Sequence, residues 1–213
     1  MTLAILAVSS RPAASHQLDE YLQAARIAMT PNGLVLEMSL TPGVAVAAKV
    51  FALIDRDGDG RASSAEIDNY ARQVLKDVVL SVDGQPVQMT VARAESAPFD
   101  EIRAGMGTIR LEALAKIRAM SAGRHQIRLM NTHQPGFSAY LVNALVPSDP
   151  AISIAGQHRD ALQHGLELDV DVAGWSAATL WAVLLVGAFA TLARHRLGAV
   201  YLFGSSSDKC QPR

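Results

Sequence analysis

The 22 residues from Val172 to Ala193 contain no charged side chain, and this stretch divides the chain into two parts of different character. As a helix it would be about 33 Å long, enough to cross a hydrocarbon core of about 30 Å. Trp175 lies near its outer end, where an amphipathic ring suits the membrane interface. We therefore predict a single transmembrane helix over residues 172–193. The alternative is a core helix that other elements enclose on all sides.

The charges after this stretch predict the orientation in the membrane. Arg194 and Arg196 follow it directly, and Lys209 and Arg213 lie further on. Because cytoplasmic flanks are enriched in Lys and Arg, residues 194–213 are expected to form a short cytoplasmic tail. The preceding domain would then be periplasmic or extracellular. The only cysteine, Cys210, lies in this tail, which excludes an internal disulfide and a thiolate zinc cluster.

The beginning of the chain resembles a secretion signal. An apolar run at residues 2–8 is followed by the small residues Ala13, Ala14 and Ser15, which suit cleavage before His16. No positive n-region precedes the run, so either the start lies further upstream or the segment is not a signal. We interpret residues 1–15 as a signal peptide, with a first strand as the alternative. After cleavage, the terminal amine and imidazole of His16 could chelate nickel or copper.

The segment between the two ends, residues 16–171, is predicted to be one extracytoplasmic β domain. Between His16 and Gly174 there are 19 acidic and 14 basic residues, a net charge of −5, which gives no surface for nucleic acid. Apolar and polar residues alternate over 34–40 and 166–172, which is typical of half-buried strands. Similar patterns occur at 78–82, 87–91, 109–113 and 127–129, followed by an apolar run at 140–146. Short strands between regular turns predict an antiparallel β-sandwich.

One stretch, residues 43–76, breaks this pattern and is predicted to be helix, loop, helix. Its loop, residues 55–66, has the sequence DRDGDGRASSAE and satisfies the calcium-loop pattern D-x-[DN]-x-[DN]-G-x5-E. Calcium is a hard cation that takes six to eight oxygen ligands, so a short loop must wrap around it. Gly60 would provide the sharp turn. The predicted oxygen ligands are Asp55, Asp57, Asp59, the backbone carbonyl of Arg61, Ser63 and Glu66.

The residues beside the loop support this interpretation. Phe51 and Ile54 share one face of the incoming helix, and Ile67, Tyr70, Ala71 and Val74 recur at helical spacing in the outgoing helix. The alternative is an ordinary capped turn, since Ser63 and Glu66 also have capping-box spacing. That alternative gives no reason for three aspartates in alternate positions, whose carboxylates would repel one another.

Residues 44–76 resemble the EF-hand family of calcium-binding proteins. The eighth loop position is Ala62, where EF-hands usually carry Ile, Leu or Val to pair with a sister loop, and the chain contains no second loop. Arg56 and Arg61 also dilute the negative charge of the site. The resemblance therefore implies a weak site, with a dissociation constant of about 10⁻⁴–10⁻³ M as in extracellular modules.

The order of elements has a second resemblance. A strand pair, the helix–loop–helix, Leu80–Pro86 (LSVDGQP), Gly105–Leu111 (GMGTIRL) and further strands are similar to the extracytoplasmic domains that precede bacterial nickel/cobalt permeases of the hydrogenase and urease accessory type. This resemblance implies an accessory role in nickel or cobalt uptake.

The predicted function is calcium binding that holds a membrane-anchored domain in a form competent for a protein partner. A nickel/cobalt accessory module and an adhesion or scaffold domain with a non-functional loop remain alternatives. No motif of an enzyme is present, and the remaining histidines show no metal-ligand spacing. They are expected to be solvated or hydrogen-bonded.

Overall fold

The computed structural model describes residues 19–30 and 33–174. The predicted signal peptide, His16, residues 175–193 of the predicted span, the tail and Cys210 lie outside these residues. In the described ranges no helix has the length and apolar character needed to cross a bilayer. Val172, which the sequence analysis assigns to the span, is the last residue of a strand.

The described residues are mainly β and form two five-stranded sheets. The first sheet has the order β5-β6-β2-β1-β8 and the second β4-β3-β7-β10-β9. The strands are β1 (Tyr21–Thr30), β2 (Gly33–Pro42), β3 (Val78–Val82), β4 (Gln85–Pro86), β5 (Thr90–Ser96), β6 (Ile109–Lys116), β7 (Gly123–Asn131), β8 (Ser138–Ala144), β9 (Ile152–Arg159) and β10 (Gly165–Val172). Three helices complete the fold: α1 (Val44–Ile54), α2 (Ser64–Lys76) and α3 (Phe99–Arg103).

Alternating side chains of both sheets fill one hydrophobic core. In β2 every second residue from Leu34 to Leu40 is buried, and in β10 Leu166, Leu168 and Val170 are buried on the matching face. The polar residues between them face outward, as in the ion pair between Arg26 of β1 and Glu37 of β2. The period of two therefore produces the two-layer packing that the sequence predicts.

The strand pairs of the described residues are antiparallel, apart from β1 and β8, which run parallel with Tyr21 opposite Ser138. The prediction of a purely antiparallel arrangement is wrong at this pair. Strand β7 belongs to the second sheet, so the chain changes sheets before β8 instead of turning back in a hairpin. A strand that arrives by such a crossover is free to run parallel to its neighbour.

The helix–loop–helix is the first of several connections between the two sheets. Strand β2 of the first sheet leads into α1, and α2 leads into β3 of the second sheet. The two helices insert their apolar faces into the common core. The loop between them is consequently held on two helices that both sheets anchor.

Candidate metal-binding loop

The two helix ends that carry the loop are fixed by buried apolar residues, as the sequence predicts. Phe51 and Ile54 of α1 are buried, and α1 ends at Ile54, with Asp55 as its C-cap. The apolar stripe of α2 is also buried: Ile67, Tyr70, Ala71 and Val74. Because both ends are packed in the core, the loop cannot move far from its observed course.

Asp55 organises the first half of the loop. Its Oδ1 accepts hydrogen bonds from the backbone N–H of Gly58 at 2.8 Å and of Asp59 at 3.2 Å. Its Oδ2 accepts the N–H of Gly60 at 3.0 Å. The turn required by these bonds depends on glycine, since Gly58 and Gly60 have φ of 75° and 78°, a region that strains other residues. The carboxylate of Asp55 is thus already pointed into the loop.

The two following aspartates point the same way. Asp57 Oδ1 accepts the N–H of Asp59 at 3.1 Å, and Asp59 Oδ1 accepts the N–H of Arg61 at 2.8 Å. One carboxylate oxygen from each of Asp55, Asp57 and Asp59 can be chosen so that all three lie within 4.8 Å of one another. The loop therefore gathers three anionic oxygens at one point of the surface.

Glu66, predicted to complete the site, lies across the loop, and each of its carboxylate oxygens accepts hydrogen bonds from a different end of the loop. Its Oε2 accepts the hydroxyl of Ser63 at 2.7 Å and the N–H of Ser63 at 3.0 Å, while Ser63 caps the first turn of α2 in a capping box. Its Oε1 accepts the N–H of Arg56 at 2.7 Å. These bonds, first that from the Ser63 hydroxyl, lower the pKa of Glu66 to about 2. The carboxylate is therefore anionic at neutral pH and joins the two ends of the loop.

The donor chemistry of the loop fits a hard cation. Every candidate ligand is an oxygen, with no imidazole or thiolate among the loop residues 55–66. Four carboxylates face two opposite charges, those of Arg56 and Arg61. Oxygen-only sets of this kind suit calcium or magnesium and disfavour nickel, cobalt and zinc, which prefer imidazole or thiolate. The structure places Asp55, Asp57 and Asp59 together, and it places Ser63 and Glu66 in the capping box beside them.

The loop packs beside residues 96–100, a segment for which the sequence predicted no role. Ala62 packs against the core, and residues 60–62 line one small cleft together with residues 96–100. The centroid of the Phe99 ring lies 3.9 Å from the centroid of the Phe51 ring in α1. The connection between β5 and β6 therefore lies directly beside the loop.

A hydrogen-bonded network that is not evident from the sequence ties α2 to the two sheets. The hydroxyls of Tyr21 and Tyr70 are 2.7 Å apart, and that of Tyr70 is 3.1 Å from His133 Nε2. His133 Nδ1 is in turn 2.7 Å from Asp77 Oδ2 at the end of α2. These residues are 49, 63 and 56 positions apart along the chain, so no local spacing reveals them.

The donors and acceptors of this hydrogen-bonded network can be assigned starting from the Asp77 carboxylate. The Asp77 carboxylate accepts, so His133 Nδ1 donates and Nε2 accepts from the Tyr70 hydroxyl, whose oxygen accepts from Tyr21. Burial raises the pKa of Tyr21 and of Tyr70, so both phenols keep their protons. Burial also lowers the pKa of His133, against the opposing effect of Asp77. The lowered pKa keeps the imidazole neutral at pH 7, the form in which Nε2 accepts the Tyr70 hydroxyl.

Comparisons with protein families, with curated proteins and with solved structures give no match to this chain.

Proposed function

We propose that the loop at residues 55–66 binds one calcium ion and thereby stabilises the β domain that carries it. The observation that supports this most strongly is the convergence of three aspartate oxygens within 4.8 Å in an oxygen-only loop of EF-hand spacing. In this proposal the domain is a β-sandwich with one EF-hand inserted between its strands.

The residues would divide the work in the following way. Asp55, Asp57 and Asp59 supply carboxylate oxygens that their hydrogen bonds to the loop backbone already orient. Arg61 offers its carbonyl, and Ser63 and Glu66 close the site from the first turn of α2. A bound calcium ion supplies positive charge that offsets the mutual repulsion of these carboxylates.

The consequence for the domain follows from where α2 leads. Its N-terminal turn carries Glu66, its middle carries Tyr70, and its C-cap is Asp77. Through Tyr70 and Asp77 the helix is hydrogen-bonded to β1 and to His133. Fixing Glu66 therefore fixes a helix that reaches into the core, and we propose that this keeps the domain in a form competent for a protein partner.

The sequence supports a location for this domain. We propose that it is held outside the cytoplasm by the uncharged stretch 172–193, with Arg194 and Arg196 on the cytoplasmic side. Extracellular calcium is in the millimolar range that a weak site of about 10⁻⁴–10⁻³ M requires.

The test is a thermal unfolding curve of the full chain with calcium, magnesium, nickel or chelator. At a calcium concentration 100 times the dissociation constant, the free energy of unfolding should increase by about 2.7 kcal/mol, which raises the unfolding midpoint by several degrees. A rise with nickel but not calcium, or no rise with any ion, would contradict the proposal.

Variants of Glu66 separate the site from the helix cap. Glu66→Ala is expected to abolish the calcium response. Glu66→Gln removes the charge but retains a capping-box side chain, so it should lose the response with a smaller loss of basal stability. Asp68→Asn removes one negative charge from the same helix outside the loop and should respond as the wild type does.

A further inference from the structure

The two edges of the sandwich differ in how they are closed. On the β8/β9 side, Arg159 of β9 donates from Nε to the carbonyl of Val142 in β8 at 2.7 Å and contacts the side chain of Asn143. On the opposite side, among the strands of the described residues, β4 pairs only with β3 and β5 only with β6. Strand β4 is two residues long, so it covers little of that edge.

A cleft of about 1000 Å³ lies at this open edge. It is lined by the β3–β4 turn, the segment after β4, the end of β6 and the connection from β6 to β7. Its apolar floor includes Val82, Val87, Ile117 and Met120, which are partly buried and continuous with the hydrophobic core. Ligand pockets of proteins commonly have volumes of about 300–1,000 Å³ and mostly apolar walls.

One wall of the cleft is held by a histidine with two acceptors. His125 Nδ1 lies 2.7 Å from Asp83 Oδ2, and Nε2 lies 2.8 Å from the carbonyl of Ser121. Since both partners accept, both ring nitrogens must donate, which requires the charged imidazolium. The bond to Asp83, and then that to the Ser121 carbonyl, raises the pKa of His125 accordingly.

The charges of the cleft are predominantly positive although the domain is acidic. Lys116 and Arg118 line it and are exposed, and neither forms an ion pair within residues 19–30 and 33–174. The one acidic lining residue, Asp83, is occupied by His125. Two unpaired cations thus stand beside an apolar floor, which is the arrangement that complements an anion with an apolar tail.

We propose that this inter-sheet cleft binds a medium-chain fatty acid as a monomer. The alkyl chain lies along the apolar floor, and the carboxylate binds Lys116 and Arg118. Charge-assisted hydrogen bonds to a carboxylate are stronger than neutral ones, so the two cations set the preference for an anionic head group.

The test uses the full chain and a photoreactive analogue of dodecanoate, below its micellar concentration. The labelled peptides are expected to contain residues 82–90 or 114–121, as found by mass spectrometry. Dodecanoate should compete with the label, and dodecyltrimethylammonium, with the same chain and the opposite charge, should not. Equal competition by the two, labelling elsewhere, no labelling, or labelling only with lipid vesicles present would each overturn the proposal.

Two pairs of variants separate the cleft from general charge. Lys116→Gln with Arg118→Gln is expected to weaken competition by dodecanoate about tenfold or more. Arg72→Gln with Lys76→Gln removes the same charge from α2, whose residues do not line the cleft, and should change nothing. An unchanged affinity in the first pair would overturn the proposal. All measurements are made in chelator, because calcium precipitates dodecanoate, and labelling there does not depend on the loop at 55–66, which shares no residue with the cleft.

Discussion

At the scale of single residues, His133 makes the stability of the domain sensitive to acid. Its pKa is lowered in the folded state, chiefly by burial, whereas in the unfolded chain it is about 6.5. The unfolded state therefore takes up the proton first as the pH falls. We expect the contribution of His133 to the free energy of unfolding to be full well above pH 6.5 and to be lost progressively as the pH falls below that value. Urea unfolding at several pH values in chelator measures this.

Variants assign this pH dependence to His133. His133→Gln should lower stability at pH 7 by about 1–3 kcal/mol, because Tyr70 and Asp77 lose their buried partner, and should flatten the slope between pH 7 and 5. His158→Gln, at an exposed position, should retain the slope. His125 acts in the opposite sense: its raised pKa adds stability below pH 6.5 that is lost at higher pH. A His133→Gln protein with the wild-type slope would contradict this account.

At the scale of elements, the connection after α3 depends on close backbone contact. A Cβ added at Gly107 would lie 2.5 Å from the backbone nitrogen of Ile102, which cannot move without displacing α3. We expect Gly107→Ala to destabilise the domain by about 1–3 kcal/mol, the usual cost of overpacking. Gly136→Ala is the matched control, since a Cβ there meets nothing within 4 Å and the φ of Gly136 is not positive. Equal urea midpoints for the two variants would refute this prediction.

The same scale shows which features the sequence could predict. In β2 and β10 an apolar residue recurs at every second position, from Leu34 to Leu40 and from Leu166 to Val172, so the period of two predicts both strands. In β1 the pattern is obscured, because Gln23 is fully buried, bonded to the His133 carbonyl, whereas Leu22 is exposed. The loop at 55–66 was predictable because its candidate ligands lie within twelve residues. The hydrogen-bonded network of Tyr21, Tyr70, His133 and Asp77 was not predictable, because these residues come together only in the folded domain.

At the scale of the whole molecule, the proposed calcium site should protect some elements from hydrogen exchange and leave others unchanged. Helix α2 connects Glu66 to Tyr70 and Asp77, and these contact β1 and the residues after β7. The edge strands β5 and β9 take no part in this hydrogen-bonded path. Calcium is therefore expected to slow exchange in α1, α2 and residues 131–140, with little change in β9.

Exchange measured by mass spectrometry with calcium and with chelator distinguishes three outcomes. Slower exchange in residues 55–66 alone would mean that the loop binds the ion without stabilising the two sheets. Equal slowing of all strands would mean that calcium acts only on global unfolding, with no special part for the Tyr70–His133 contact. Tyr70→Phe removes the hydroxyl that joins Tyr21 to His133 and leaves the loop intact. In that variant we expect calcium to slow hydrogen exchange in α1 and α2 as in the wild type. Exchange in residues 131–140 should no longer respond to calcium.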